Sequence, residues 1–135
     1  MTIETAVVAP VLIIMSLGVF ETGSIVARQH ELQSAANEAT IIVMAANRGP
    51  EVEISEMKAI ISESVGLSGE RIVLEREYRC NASNGKVKSQ GACPSNATIS
   101  SYITVSLTDT HTPVWTAFGV GEKITFKVDR SVQVS

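Results

Sequence analysis

The stretch Thr5-Ala6-Val7-Val8-Ala9-Pro10-Val11-Leu12-Ile13-Ile14-Met15-Ser16-Leu17-Gly18-Val19-Phe20 carries no charged side chain. Its large apolar residues do not keep to one stripe. Wound as a helix, Val7, Val8, Val11, Leu12, Ile13, Ile14, Met15, Leu17, Val19 and Phe20 cover every side. A helix apolar all round has to be surrounded by apolar material. Further along, the pattern changes to a stripe in which Ile25, Leu32, Ala36, Ala39, Val43 and Ala46 recur at threes, fours and sevens. Arg28, Gln29, Glu31, Gln33, Asn37 and Glu38 lie between them and make a polar face. One helix over residues 3–47 is predicted, and its Ala-rich stripe suits close packing against another surface.

About 45 helical residues, rising about 1.5 Å each, reach about 68 Å. The rest of the chain can make only a body with a radius of gyration of about 12 Å. That body covers the striped second half and leaves the apolar first half to a bilayer or to copies of the same chain. Left in water, the first half would cost several tens of kcal/mol at about 25 cal/mol per Å².

Downstream, Gly49 and Pro50 end the helix. A second helix is predicted over residues 50–65, with Pro50 at its first position and Glu51 and Glu53 at the positive end of its dipole. Ile54, Met57, Ile61 and Val65 form its apolar face, and Gly66 caps it. After Gly69 the period falls to two. Residues 71–80 align Ile72, Leu74, Tyr78 and Cys80; residues 98–108 align Ile99, Ile103, Val105 and Leu107; residues 123–134 align Ile124, Phe126, Val128, Val132 and Val134. These are three half-buried antiparallel strands. In the connection before the last strand, Trp115 and Phe118 are expected to plug an edge of the core. The fold class is α+β: a long helix and a short one packed on a small sheet. Residues 1–27 form a membrane or filament-core segment and residues 28–135 a globular domain.

The chain has 135 residues, which bounds it to one modest domain plus one further element. Its net charge of −3 argues against nucleic acid, whose phosphates need a basic footprint. A multi-pass transporter is excluded because one stretch alone could enter a bilayer. All 11 Lys and Arg lie at or beyond Arg28, while residues 1–27 hold only Glu4 and Glu21 among charged groups. Membrane anchors carry basic residues on the cytoplasmic side. A short basic leader removed from before Met1 is therefore expected, the alternative being that Met1 is the initiator and orientation is set otherwise.

Glu4 is expensive in an apolar setting unless it is paired. The α-amino group of a neighbouring subunit could neutralise it and set an axial step; alternatively Glu4 is hydrated at the membrane surface. Pro10 removes one backbone bond and invites a kink or local unwinding. Gly18, Gly23 and Ser24 offer small contact points for another helix. The expected subunit-packing residues are Glu4, Pro10, Leu12, Ile13, Leu17, Gly18, Phe20, Glu21 and Gly23.

Cys80 and Cys93 close a loop of 14 residues counted inclusively. In an oxidising compartment they form a disulfide worth about 3 kcal/mol at most. A redox or metal pair would need two-residue spacing and a nearby His. Two Cys and two His leave little material for a metal site, and no cofactor is expected. Asp109 and His111, flanked by Thr108, Thr110 and Thr112, read as a hydrogen-bonded loop rather than as a nucleophilic site. His30 lies on the polar helix face. Gly119 and Gly121 read as turn residues, and the glycosylation patterns at Asn81 and Asn96 as chance matches. The loop between the cysteines, with Lys86 and Lys88, is expected to be the most exposed surface.

The string Ile3-Glu4-Thr5-Ala6-Val7-Val8-Ala9-Pro10, followed by aliphatic residues, resembles the TadE-like pseudopilins of Tad (Flp-type) type IV pilus systems. Those begin with a buried Glu and have a Pro six residues later. The likeness continues through Leu17-Gly18-Val19-Phe20-Glu21-Thr22-Gly23 and from Arg28 to Ala39. The strand-rich C-terminal half is similar in its cysteine pair and in Arg130 of the last strand. The resemblance spans nearly the whole chain, and its specific part ends near Ala39.

It implies a pilin-like fold with no enzymatic activity. It also implies a leader cut by a prepilin peptidase, a helix held in the bacterial inner membrane, and a globular domain in the periplasm or outside the cell. The implied partners are the same chain in a helical filament, other pilins of the system and the pilus assembly machinery. On this resemblance Glu4 pairs with a neighbour's N-terminus. One departure stands out: type IV pilins place this Glu at the fifth mature position, and here it is the fourth. A monomeric single-pass periplasmic adaptor or assembly factor is the second reading. An anchored enzyme is the third, and it would need a pocket with titratable groups that the sequence does not reveal.

Overall fold

In the computed structural model, which describes residues 2–48, 52–81 and 85–135 with side chains from residue 5 onward, the uncharged stretch lies in one helix, α1 (Thr2–Ala46), of 45 residues. The helix passes unbroken through Pro10, so the expected local unwinding does not occur. Proline deletes one amide donor, and the intact ladder on both sides holds the helix together. Among the described residues there follow α2 (Ile54–Val65), β1 (Ile72–Cys80), β2 (Ile99–His111) and β3 (Ile124–Gln133), with short 3₁₀ turns between them. The chain divides into two compact units, one of Met1–Glu31 with Thr110–Phe126 and one of Leu32–Asp109 with Lys127–Ser135.

The second unit holds the main core. Its sheet has the order β1-β2-β3, with β1 and β2 antiparallel and Ile72 opposite Leu107, Leu74 opposite Val105 and Cys80 opposite Ile99. The central strand β2 sends Ile103, Val105 and Leu107 to one face, where all three are fully buried. Polar Thr104 and Ser106 alternate with them, as a sheet with one covered face requires. The α1 stripe behaves as its spacing predicts: Leu32, Ala36, Ala39 and Val43 are all buried. Met57 and Ile61 of α2 complete the core, and α2 packs on β1. Asn47 Nδ2–H donates to the Val134 carbonyl at 2.5 Å, and Arg130 Nε–H reaches Asn37 Oδ1 at 3.5 Å. These two bonds tie the last turns of α1 to the end of the chain and to β3.

Three further sequence expectations need correction. The second helix starts at Ile54, not at residue 50, because Glu53 is extended (φ −61°, ψ 142°) and serves as the N-cap. Pro50 and Glu51 lie outside the described residues. Gly66 does cap the helix, in the left-handed conformation at φ 66°. Second, β2 runs three residues further than predicted and takes in Asp109 and His111. Asp109 continues the inward-facing row and is 7% exposed, its carboxylate paired with the Arg71 guanidinium. A buried carboxylate is tolerable only with such a partner.

The described residues of the loop between the cysteines are exposed as expected, all but the half-buried Val87, and the loop is nevertheless tied down. Val87 and Tyr78 exchange backbone bonds at 2.8 and 2.7 Å, laying the loop along the edge of β1. Lys86 Nζ donates to Glu77 Oε2 at 2.9 Å and to Ser131 Oγ at 2.7 Å. The third correction, on Phe118, belongs to the first unit below. The disulfide forms as expected, joining Cys80 to Cys93 with a Cα–Cα distance of 5.4 Å. Beside it Asn81, at φ 55°, accepts the Thr98 amide on its own Oδ1 at 2.9 Å.

Two consequences can be measured. Ala39 has no exposed surface, so Ala39→Leu should destabilise the chain by about 1–3 kcal/mol through overpacking, read from urea midpoints. The hydrogen bond from Lys86, then that from Thr104, hold the Glu77 carboxyl below its ordinary range. The unfolded chain therefore takes up that proton first. The stabilisation is complete above the ordinary Glu range and is lost as pH falls through the depressed folded value. The stability difference between the native chain and Lys86→Met should hold from neutrality down to the ordinary Glu range and shrink as the pH falls below it.

Candidate functional site

The first unit combines the start of α1 with the connection between β2 and β3. On α1, all ten large apolar residues from Val7 to Phe20 are 51–75% exposed in the single chain. Isolated apolar residues on a surface are ordinary, but a contiguous band of this kind marks an interaction face. Among the described residues, α1 is long and apolar enough to cross a membrane.

Leu12, Ile13, Leu17 and Phe20 lie in this band, and Pro10 and Gly23 are exposed beside it. A Cβ built on Gly18 or on Gly23 would meet nothing within 4 Å. The chain's own packing thus does not require their smallness. Glu4 lies outside the described side chains. Glu21 differs from the others: it is 3% exposed and turned into its own unit.

Glu21 Oε1 accepts two bonds. His111 Nε2–H donates at 2.9 Å, since an ionised carboxylate has no proton to give, and the Val114 amide donates at 3.2 Å. The local sequence explains the second donor. Pro113 is extended (φ −61°, ψ 149°) and opens a short 3₁₀ turn, Val114–Phe118. The first amides of such a turn have no partner within it. The Glu21 carboxylate takes one of them, which ties the turn to the helix.

The turn is also fixed from behind. Thr116 Oγ1 donates to the Pro113 carbonyl at 2.7 Å, and the Val120 amide to the Trp115 carbonyl at 3.2 Å. Gly121 sits at φ 76°, and a Cβ there would come within 3.2 Å of Trp115 Nε1. Glycine answers both demands.

Phe118 does not plug a core, whereas Trp115 is half-buried. Phe118 is 77% exposed. With Val114 they form one wall of an apolar cleft of about 460 Å³, and Ile14, Leu17 and Phe20 of α1 form the other. The sequence pointed to these aromatics and missed their setting. The tie that places them, Glu21 to His111, spans 90 positions and no local pattern announces it. Among the described residues, no group of three or more His, Cys, Asp and Glu is placed to hold a metal ion. The arrangement does two things: it gives a carboxylate hydrogen-bond partners next to an apolar band, and it leaves Val114 and Phe118 exposed.

Residues 1–40 match the family model described as TadE-like protein. No curated protein and no solved structure matches the chain. The match covers the apolar band, Glu21 and the start of the Ala stripe.

Replacing Glu21 by Ala strands the Val114 amide and His111 Nε2–H. Each buried polar group left unsatisfied costs about 1–3 kcal/mol. Amide exchange at Val114 should accelerate in Glu21→Ala and stay near native in Glu21→Gln, which keeps an acceptor oxygen. The amides of Ile103 and Val105 should be unchanged in both.

Proposed function

We propose, from a chain that is TadE-like over residues 1–40, that it is a structural subunit of a Tad-type type IV pilus, either a pilin or a minor pseudopilin. Residues 1–27 are the membrane and filament-core segment, and residues 28–135 face the periplasm or the exterior. The single observation that carries the reading is the band from Val7 to Phe20, apolar on all sides and uncovered by its own chain. Before assembly the inner membrane covers it. In a filament, the helices of sister subunits or of other pilins of the system take the place of lipid.

The exchange conserves apolar burial, so the energetic difference between the two states rests on polar detail. Residues 1–27 hold two acidic groups. Glu21 is already bonded inside its own unit, which leaves Glu4 as the acidic group of the segment assigned to the neighbour. An α-amino cation on that neighbour would remove the cost of placing a carboxylate among apolar side chains and would fix the axial step. Gly18 and Gly23, open on their outer side, allow close helix approach. A leader removed by a prepilin peptidase belongs to the same reading, and the intact mass of protein recovered from its cell reads it directly.

Electron microscopy of the full-length protein, taken out of detergent, tests this. Ordered fibres are expected from the native chain, and none from Glu4→Leu, which stays membrane-bound. A native chain that gives only monomers in membranes would contradict the filament reading and favour a tethered adaptor.

A further inference from the structure

The connection between β2 and β3 has a composition that filament assembly does not explain. From Thr112 to Gly121 there is no ionisable residue, and the run holds the chain's only Trp. Val114, Phe118 and Val120 are 54%, 77% and 61% exposed. Short surface turns are ordinarily polar, and an ordered turn that holds apolar groups outward needs a reason.

Its position along α1 supplies one. A hydrocarbon layer of about 30 Å takes about 20 helical residues. The uncharged run from Thr5 to Phe20, with the turns flanking it, therefore ends its span at the level of Glu21. The cleft shared by the turn reaches from Phe20 back to Ile14, and Ile14 is seven residues, or about 10 Å, before Glu21 along the axis. Elements that lie in a membrane interface bury their apolar face about 5–10 Å deep. If Ile14 and Leu17 are in lipid, side chains lining the same cleft lie at the same depth. Glu21 fits this placement independently. A carboxylate at the hydrocarbon boundary needs donors that travel with it, and the turn brings two, the Val114 amide and His111 Nε2–H.

We infer that the turn Val114–Phe118 is a second membrane-contacting element, with Trp115, Phe118 and Val114 seated in the outer interface of the bilayer beside the helix and lipid acyl chains filling the cleft. The inference rests on the membrane-anchored state of the proposed function. It adds that the first unit touches the lipid through this turn as well as through the helix. Trp is suited to this place because its ring is amphipathic. Extraction of a subunit into a filament would then have to release this contact as well as the helix.

Trp115 is the chain's own probe. The full-length protein is reconstituted at low density into vesicles of phosphatidylcholine and phosphatidylglycerol, some with acyl chains brominated near the headgroup. Vesicle flotation and protection of residues 5–20 from added protease report the anchor separately. The expected result is blue-shifted Trp115 emission, quenched several-fold by brominated lipid and little by aqueous acrylamide. Phe118→Ser, at an exposed position, should float equally well but lose most of the lipid quenching.

A protein that floats with protected residues 5–20, yet shows red emission open to acrylamide and indifferent to brominated lipid, overturns the inference and leaves the anchor standing. A protein that does not float removes the anchor and the inference together. A blue shift without lipid quenching that appears only at high protein density overturns the inference too, because it puts a second copy in the cleft.

Discussion

A helix that is apolar on every side cannot be satisfied by a chain that covers only one of its ends. That constraint organises this protein. The same helix, α1, changes character along its length: uncharged and apolar all round from Thr5 to Phe20, then carrying a stripe of Leu32, Ala36, Ala39 and Val43 that disappears into a core. The switch comes from side-chain pattern alone, since the backbone is one uninterrupted helix of 45 residues. Hydrophobic burial is non-directional and scales with area. The apolar half therefore specifies an environment, lipid or other helices, and not a particular contact.

Specificity in the first unit comes from polar groups. Glu21 would be costly where it lies, were it not for the Val114 amide and His111 Nε2–H. The bond to Val114 also orders the turn that carries Trp115 and Phe118. One carboxylate thus ties a helix that needs an apolar surrounding to a turn whose apolar side chains line a cleft with it. In the second unit, the pairs Arg71–Asp109 and Lys86–Glu77 play a comparable part. They allow charged residues to occupy a three-stranded sheet with a small core, and the Cys80–Cys93 bridge closes the one long loop.

Periodicity exposed much of this in advance. The stripe at threes and fours, the period-two strands and the glycine at residue 66 each reflect local geometry, and local geometry is what sequence spacing encodes. Expectations failed where a long-range partner decided the outcome. The Thr-flanked Asp109 and His111 read as a turn because threonine, aspartate and histidine are common in loops. Arg71 and Glu21, 38 and 90 positions away, make them strand residues facing inward. Lys86 is exposed, as its loop was expected to be, but its partners Glu77 and Ser131, 9 and 45 positions away, are not announced by any local pattern. The start of α2 was set too early because a proline signals that a helix can begin and does not signal that it must. The proposed packing residues show the other limit: Pro10, Leu12, Ile13, Leu17, Phe20 and Gly23 are exposed in the single chain, and a single chain does not display what would cover them.

The central claim is that the apolar half of α1 has no cover within its own chain. Sedimentation velocity of the full-length protein in buffer free of detergent and lipid tests it most directly. The account predicts large assemblies with no stable monomer, and recovery of a small species when detergent is added. A single, long-lived monomer in plain buffer would contradict it, because that chain would have found a way to shelter residues 5–20 by itself.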